Sequence, residues 1–298
     1  MLKLKNLIFL ILLLPFLIYS QVNEIEEKID DHDKIPEGLN YDGMVSTNLA
    51  QTALKNWSAG GNNSIAISGA TNWNIRYKKG KNILMNMIDV RYGLVKQGED
   101  RVKKTDDIIE LTSKYGREAA SNWYYSGLLN FKTQMANGKN DMRTKISAPF
   151  APAYLTTAIG MDWRKYSSFS LFISPVTSKV TFVWDDELSN QGSFGVESGQ
   201  KSRHELGGYL RAQYRREIMK NVTLDNKLDM FANYNKNWKN IDIKYDLLLN
   251  MKVNKYISAN FSANFIYDKD IDTNGKVFNL SGLQLKESIG VGFSYNFK

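Results

Sequence analysis

The stretch Ser288-Ile289-Gly290-Val291-Gly292-Phe293-Ser294-Tyr295-Asn296-Phe297 alternates at every step. Successive side chains of an extended chain point to opposite faces, so Ile289, Val291, Phe293, Tyr295 and Phe297 share one side. Ser288, Gly290, Gly292, Ser294 and Asn296 share the other. Apolar and aromatic residues facing one way, with small polar residues facing the other, suit a strand between lipid and a polar lumen. Working back along the chain, residues 241–253 repeat the pattern. There Ile241, Ile243, Tyr245, Leu247, Leu249, Met251 and Val253 oppose Asp242, Lys244, Asp246, Asn250 and Lys252, and every charge falls on one face.

Continuing towards the N-terminus, the same reading predicts strands at 45–57, 63–77, 82–96, 107–116, 122–134, 154–165, 169–183, 203–216, 219–234, 239–253, 257–267 and 285–297. These twelve segments are rich in Tyr, Trp, Phe, Ile, Val and Thr. The expected fold is all-β, a transmembrane antiparallel up-and-down β-barrel of about 12 strands. Its connections supply an independent check, because bacterial barrels alternate short periplasmic turns with longer extracellular loops. The long gaps, 135–153, 184–202 and 268–284, are all odd-numbered, which puts both termini in the periplasm. Glycines and asparagines in those gaps, such as Asn137, Gly138, Gly192, Gly195 and Gly275, favour open loops.

A soluble sandwich or lipocalin-like barrel has the same period with the faces exchanged. Against it stand the charges on the expected inner face: Asp89, Arg91, Glu110, Lys114, Asp162, Arg164, Arg211, Arg215, Asp225, Lys227 and Asp229. The expected outer face carries Trp73, Tyr77, Trp123, Tyr125, Trp163 and Tyr267, as interfacial girdles require. Acids and bases inside are nearly balanced, so mutual ion pairing across a narrow lumen is expected.

The N-terminus reads as an export signal. Lys3 and Lys5 precede an apolar run from Leu7 to Ile18, and the small Ser20 comes before Gln21, the order of a signal peptide cleaved after residue 20. Residues 21–44 form an acidic periplasmic leader, and 45–298 the barrel. No later run is long and apolar enough for a membrane helix. Cysteine is absent, which excludes disulfides and thiolate metal sites. The charge of +8 becomes +6 without the two leading lysines, and it is scattered rather than gathered in a basic stripe, so nucleic acid is not an expected partner.

Several blocks of the text resemble one family. They include QTALKNWSAGGNNS at 51–64, GLVKQGED at 93–100, KKTDDIIELTSKYG at 103–116, WYYSGLLNFKTQ at 123–134, APAYLTTAIGMDW at 151–163 and FSLFISPVTSKVTFVWDDELS at 169–189. The likeness runs on through EIMKNVTLDNKLDMFANY and NIDIKYDLLLNMKVNKYISANFS to GVGFSYNFK, covering roughly 45–298. It is similar to a family of unknown function, a domain of Bacteroidetes-type bacteria regarded as outer-membrane β-barrels. The resemblance implies a fold and a location, and carries no activity, substrate or catalytic residue. The last strand also resembles the signal read by the barrel-assembly machinery, which usually ends on an aromatic, whereas here Lys298 follows Phe297.

Candidate chemistry is sparse. A hydrolase needs an activated nucleophile or water, generally through histidine, and the chain has only His32 and His204. His204 has Ser202 and Glu205 beside it, but adjacent strand residues face opposite ways, so no catalytic residue is assigned. Asp270, Asp272 and Asn274, followed by Gly275, open like a calcium loop, yet Ser281 stands where a bidentate glutamate belongs. A weak calcium site is the sole metal candidate, and no other cofactor is expected. Asp185, Asp186 and Glu187 read as a solvated acidic loop. Three functions are expected in descending order: a passive channel or transporter of small solutes, a surface scaffold binding an extracellular partner through its loops, and an outer-membrane hydrolase.

Overall fold

The computed structural model describes residues 35–54, 62–140, 142–165, 168–235, 241–254, 256–267 and 283–297. Twelve strands close into one antiparallel barrel: β1 (Gly38–Thr52), β2 (Ser64–Lys79), β3 (Asn82–Gln97), β4 (Lys103–Ala120), β5 (Trp123–Thr133), β8 (Ala153–Lys165), β9 (Phe169–Phe182), β10 (Ser202–Met219), β11 (Val222–Asn233), β12 (Ile241–Lys252), β13 (Ile257–Tyr267) and β14 (Leu283–Phe297). Two short strands, β6 (Gly138–Lys139) and β7 (Lys145–Ser147), pair separately. Each barrel strand pairs with its neighbours in chain order, and β14 returns to β1. Closure gives every barrel strand a partner on both sides, the condition for placing backbone amides in hydrocarbon.

The outer surface is apolar. Leu39, Tyr41, Val45, Ile65, Ile67, Leu129, Ile159, Ile289 and Phe293 all point away from the lumen and are exposed. In water such a belt would far exceed the apolar patches that soluble proteins tolerate. Trp73, Tyr77, Trp123 and Tyr125 face outwards as expected. The protein is a transmembrane up-and-down β-barrel.

At one end the described connections are tight: Gly80–Lys81, Ser121–Asn122 and Lys220–Asn221. Gly80, Asn122 and Asn221 adopt left-handed backbone there, with φ of 54°, 65° and 65°, which glycine and asparagine tolerate best. β1 begins and β14 ends at this turn end. The opposite, loop end carries 134–152 and 183–201.

Three details differ from the sequence reading. Strand β1 starts at Gly38, inside the segment assigned to the leader, and ends at Thr52 rather than 57. The alternation continues through Leu39 and Tyr41, while Asp42 turns inwards to an ion pair with Arg76, so an acidic residue there belongs to the lumen. The expected signal peptide and the leader to residue 34 lie outside the described residues, as do 55–57 of the first expected strand.

The second difference is a bulge in β9. Ile159 and Met161 of β8 oppose Val176 and Ile173, and Gly207 and Tyr209 of β10 oppose Thr177 and Ser174, so extra residues of β9 are taken up on both sides. Pro175, which has no amide to donate, sits within it. The bulge reverses the facing, so that Phe172 and Ser174 point inwards before it and Thr177, Lys179 and Thr181 after it. Ser174 Oγ donates either to the Ile159 or to the Val176 carbonyl, both 2.8 Å away, and Tyr234 Oη donates to the Pro175 carbonyl at 3.0 Å. The kinked backbone presses against Gly160, where a Cβ would lie 2.0 Å from the Ile173 oxygen.

The third difference is that the loops are folded. Ala148, Ala151, Val183, Leu188 and Val196 form a small core shared by 134–152 and 183–201, with Phe194 packed against it. Helix α1 (Asp186–Asn190) is capped by Asp185, whose carboxylate accepts from the Leu188 amide. Gly192 and Gly195 take left-handed conformations in that packed structure instead of loosening an open loop. The acidic cluster is paired as well: Lys145 Nζ lies 2.7 Å from Asp185 and 3.0 Å from Glu187, and Lys201 lies 2.8 Å from Asp186.

Candidate functional site: a charged lumen

Every inward charge expected from the sequence points into the barrel, and most are paired. Counting round the ring, β12 stands six strands from β4, diametrically opposite, and β11 stands five away. Glu110 on β4 nevertheless meets Lys227 of β11 at 3.4 Å and Lys244 of β12 at 3.9 Å. Lys244 and Lys227 also hold Asp246 at 3.0 and 3.5 Å. Asn130 donates to Glu110 at 2.9 Å, so one carboxylate gathers groups from both walls.

Nearer the loop end, Lys286 meets Asp106 at 3.1 Å, and Lys179 meets Asp242 at 2.9 Å. Towards the turn end, Asp162 lies between Lys114 at 3.1 Å and Arg164 at 2.5 Å, all three side chains buried. The lumen therefore holds both hydrated pairs and a desolvated triad. Side-chain exposure is 44% at Lys286 and 3% at Lys114.

The wet lumen expected from the sequence is only half of what is present. Leu128, Ala158, Phe172, Tyr209 and Phe231 form an apolar cluster on the inward side of β5, β8, β9, β10 and β11. Cations lie over these rings: Lys179 is 5.0 Å from the Phe231 centroid, Arg211 5.7 Å from Tyr209 and Lys114 5.8 Å from Phe172. Arg211 pairs with Asp229 at 2.5 Å, and Tyr209 Oη donates to the same carboxylate. Sequence reasoning missed this cluster because it treated aromatics as lipid-facing. The phase of Tyr209 with inward Arg211 was the available signal.

The other side of the lumen is lined by small residues. Ser262 and Ser288 hydrogen-bond at 2.8 Å, Gly290 and Gly292 follow on β14, and Asn48 and Ser68 lie beyond on β1 and β2. Gln284, Lys286 and Ser288 are exposed on this inward face. Towards the turn end Ser46, Ser258 and Ser294 are 5%, 0% and 6% exposed, so the free space narrows there.

His204 is exposed, with Ser202 Oγ 3.4 Å from its Nε2. Glu205 faces the lumen instead, bonded to Arg203 at 2.9 Å and Asn233 at 2.8 Å, so the three do not assemble. The calcium candidates Asp270, Asp272 and Asn274 lie outside the described residues. Among the described residues no group of three or more histidine, aspartate and glutamate side chains is arranged for a metal ion.

Among solved structures, the chain is similar to an outer membrane channel from Pseudomonas putida F1, with 11% identity, TM-score 0.44, and coverage of 90% of this chain and 98% of that one. It also resembles the translocator domain of the autotransporter NalP from Neisseria meningitidis, with 11% identity, TM-score 0.37, and 95% and 96% coverage. The NanC porin follows at 8% identity, TM-score 0.38, and 85% and 98% coverage. Likeness at this level does not extend to function. No curated protein matches the sequence. Two families do, dividing between them most of the region whose text resembles a barrel family: residues 49–138 match a protein family of unknown function, DUF3078, and residues 154–297 match a second, DUF481, also of unknown function.

Proposed function

We propose that the protein is a narrow passive channel for small polar solutes in the outer membrane. Its loop end faces outwards and its short turns face the periplasm, following the habit of bacterial barrels. The observation that carries this reading is the asymmetry of the lumen. Charged pairs and aromatic rings crowd the side formed by β3–β12, whereas, apart from the Asp42–Arg76 pair, mainly serine, glycine and asparagine line β13, β14, β1 and β2 and leave Lys286 and Ser288 in contact with solvent. A solute entering from the loop end meets an off-centre polar path that tightens around Ser46, Ser258 and Ser294. Surrounding lipid is the one constant partner, and assembly machinery reading the last strand would deliver the barrel to it.

Conductance of the purified protein in planar bilayers tests this reading. Small, discrete steps are expected, and Ser288→Trp should shrink them by filling the small-residue side. Silent bilayers containing correctly inserted wild-type protein would overturn it. They would favour the second reading, a surface scaffold, which is supported by the folded lobe of 134–152 and 183–201 with its own core.

A further inference from the structure

The lobe at the loop end leaves two large aromatics outside its own core. Phe150 is 41% exposed and Trp184 58% exposed, although Ala148, Ala151, Val183, Leu188 and Val196 bury one another beside them. The two rings join a row. Phe131 lies 6.2 Å from Phe150, Phe150 lies 5.4 Å from Trp184, and Trp184 lies 5.5 Å from Phe182, between centroids. Phe131 and Phe182 are outward-facing residues near the loop ends of β5 and β9, in phase with exposed Leu129 and Val176. The row is therefore continuous with the lipid-facing belt.

Phe150 is held in this position against its backbone preference. Its φ is +56°, a region that bulky residues rarely enter. Reciprocal hydrogen bonds between Ala148 and Ala151 close the turn around it, its amide donates to Thr133 Oγ1 at 3.2 Å, and its carbonyl accepts from the Trp184 amide at 3.1 Å. This scaffolding turns a ring out to the surface, where water would penalise it. The start of the loop is also laid over the outside of the wall. Asp107 on β4, in phase with outward Leu111 and Tyr115, accepts from the amides of Met135 and Ala136 at 2.7 and 2.9 Å.

We infer that this lobe rests on the bilayer, with Phe150 and Trp184 inserted at the boundary between headgroups and acyl chains. The inference rests on the reading of the chain as a membrane barrel. Tryptophan prefers that boundary because its ring is amphipathic. Seated there, the two loops are held outwards from the barrel mouth.

Single nitroxide labels test the inference in phosphatidylethanolamine and phosphatidylglycerol vesicles, helped by the absence of native cysteine. Labels at Leu129→Cys on the strand, Trp184→Cys on the edge and Ser198→Cys at an exposed site of the lobe away from the aromatic row are compared for collision with oxygen, which concentrates in lipid, and with a water-soluble nickel chelate. Leu129 and Trp184 labels should favour oxygen, and the Ser198 label should favour nickel. A Trp184 label that favours nickel while Leu129 favours oxygen overturns the inference and leaves the barrel standing. A Trp184 label shielded from both reagents also overturns it, since protein, such as a second copy of the chain, would then cover the edge. Nickel preference at Leu129 would instead bring down the membrane reading itself.

Discussion

Glu110 and Lys227 arise on walls five strands apart and meet at 3.4 Å inside the barrel. The contact is made by long side chains reaching inwards from strands that never pair. It stitches the barrel across its middle, where backbone hydrogen bonds act only around the circumference.

Ion pairs that differ in burial should contribute unequally. Asp162 is fully buried between Lys114 and Arg164, so Asp162→Asn strands two cations in a desolvated site, a change that costs about 3–5 kcal/mol. Asp225 and Arg215 are 3.8 Å apart and 39% and 52% exposed, so Asp225→Asn should cost under about 1 kcal/mol. Urea unfolding in detergent micelles, followed by tryptophan fluorescence, separates the two. Equal midpoints would contradict the ordering by burial.

Adjacent residues on β14 should differ sharply in their tolerance of charge. Ile289 is 79% exposed towards lipid, whereas Ser288 faces the lumen and is exposed there. Arginine on the lipid face costs about 2–4 kcal/mol near the midplane, so Ile289→Arg should reduce the amount of heat-modifiable, folded barrel much more than Ser288→Arg. On β12 the inward neighbour of Leu249 would be a poor control, because Asn250 is only 9% exposed and donates to Asn260 at 2.6 Å.

Topology is open to chemical labelling. Cysteines replacing Asn137 and Glu197 at the loop end should react with an impermeant maleimide on intact cells, and those replacing Lys81 and Lys220 at the turn end should react only after the outer membrane is opened. The reverse pattern would invert the proposed orientation, and labelling of all four from outside would exclude a spanning barrel.

The lobe should respond to pH through one contact. A hydrogen bond from Lys145 holds the Asp185 carboxyl below the usual carboxylate range, and hydrogen bonds to Asp185 and Glu187 hold the Lys145 ammonium above its own. A lowered acid contributes stability above its unfolded value, about 3.9, and loses it as pH falls through the lower folded value. A raised base loses its contribution as pH rises through its folded value, above about 10.4. Carboxyl NMR should show Asp185 titrating at higher pH in Lys145→Ala. An unchanged titration would mean that the pair is not formed in solution.

Much of the barrel was legible because the physics that sets it is local. β12 and β14 keep a period of two broken only at Leu248 and Glu287, and a strand with lipid on one side and water on the other has to show that pattern. The inward charges were readable for the same reason. Asp42 hid the beginning of β1, because an acidic residue near a leader looks like more leader until its partner Arg76, thirty-four residues on, is in view. The β9 bulge left one clue in the sequence, Pro175 inside an expected strand, but not the direction of the phase change. Phe172, Tyr209 and Phe231 come from three strands, and the lobe core from two separate loops, so neither cluster has a signature in any single window. The calcium expectation at Asp270, Asp272 and Asn274 falls outside the described residues.

The meeting of β1 and β14 is short. Six residue pairs join them, from Gly43 with Phe297 to Asn48 with Gly292, whereas fifteen join β1 to β2. Gly43 has no side chain to obstruct the Phe297 ring, which also lies 4.5 Å from the Trp73 ring. This clasp unites the first and last strands of the barrel, and its last link is Phe297. Strand β14 must be in place before the hoop can shut. Until then the sheet carries two raw margins, at β1 and β14, and loss of residues 292–297 would leave them without a fastener.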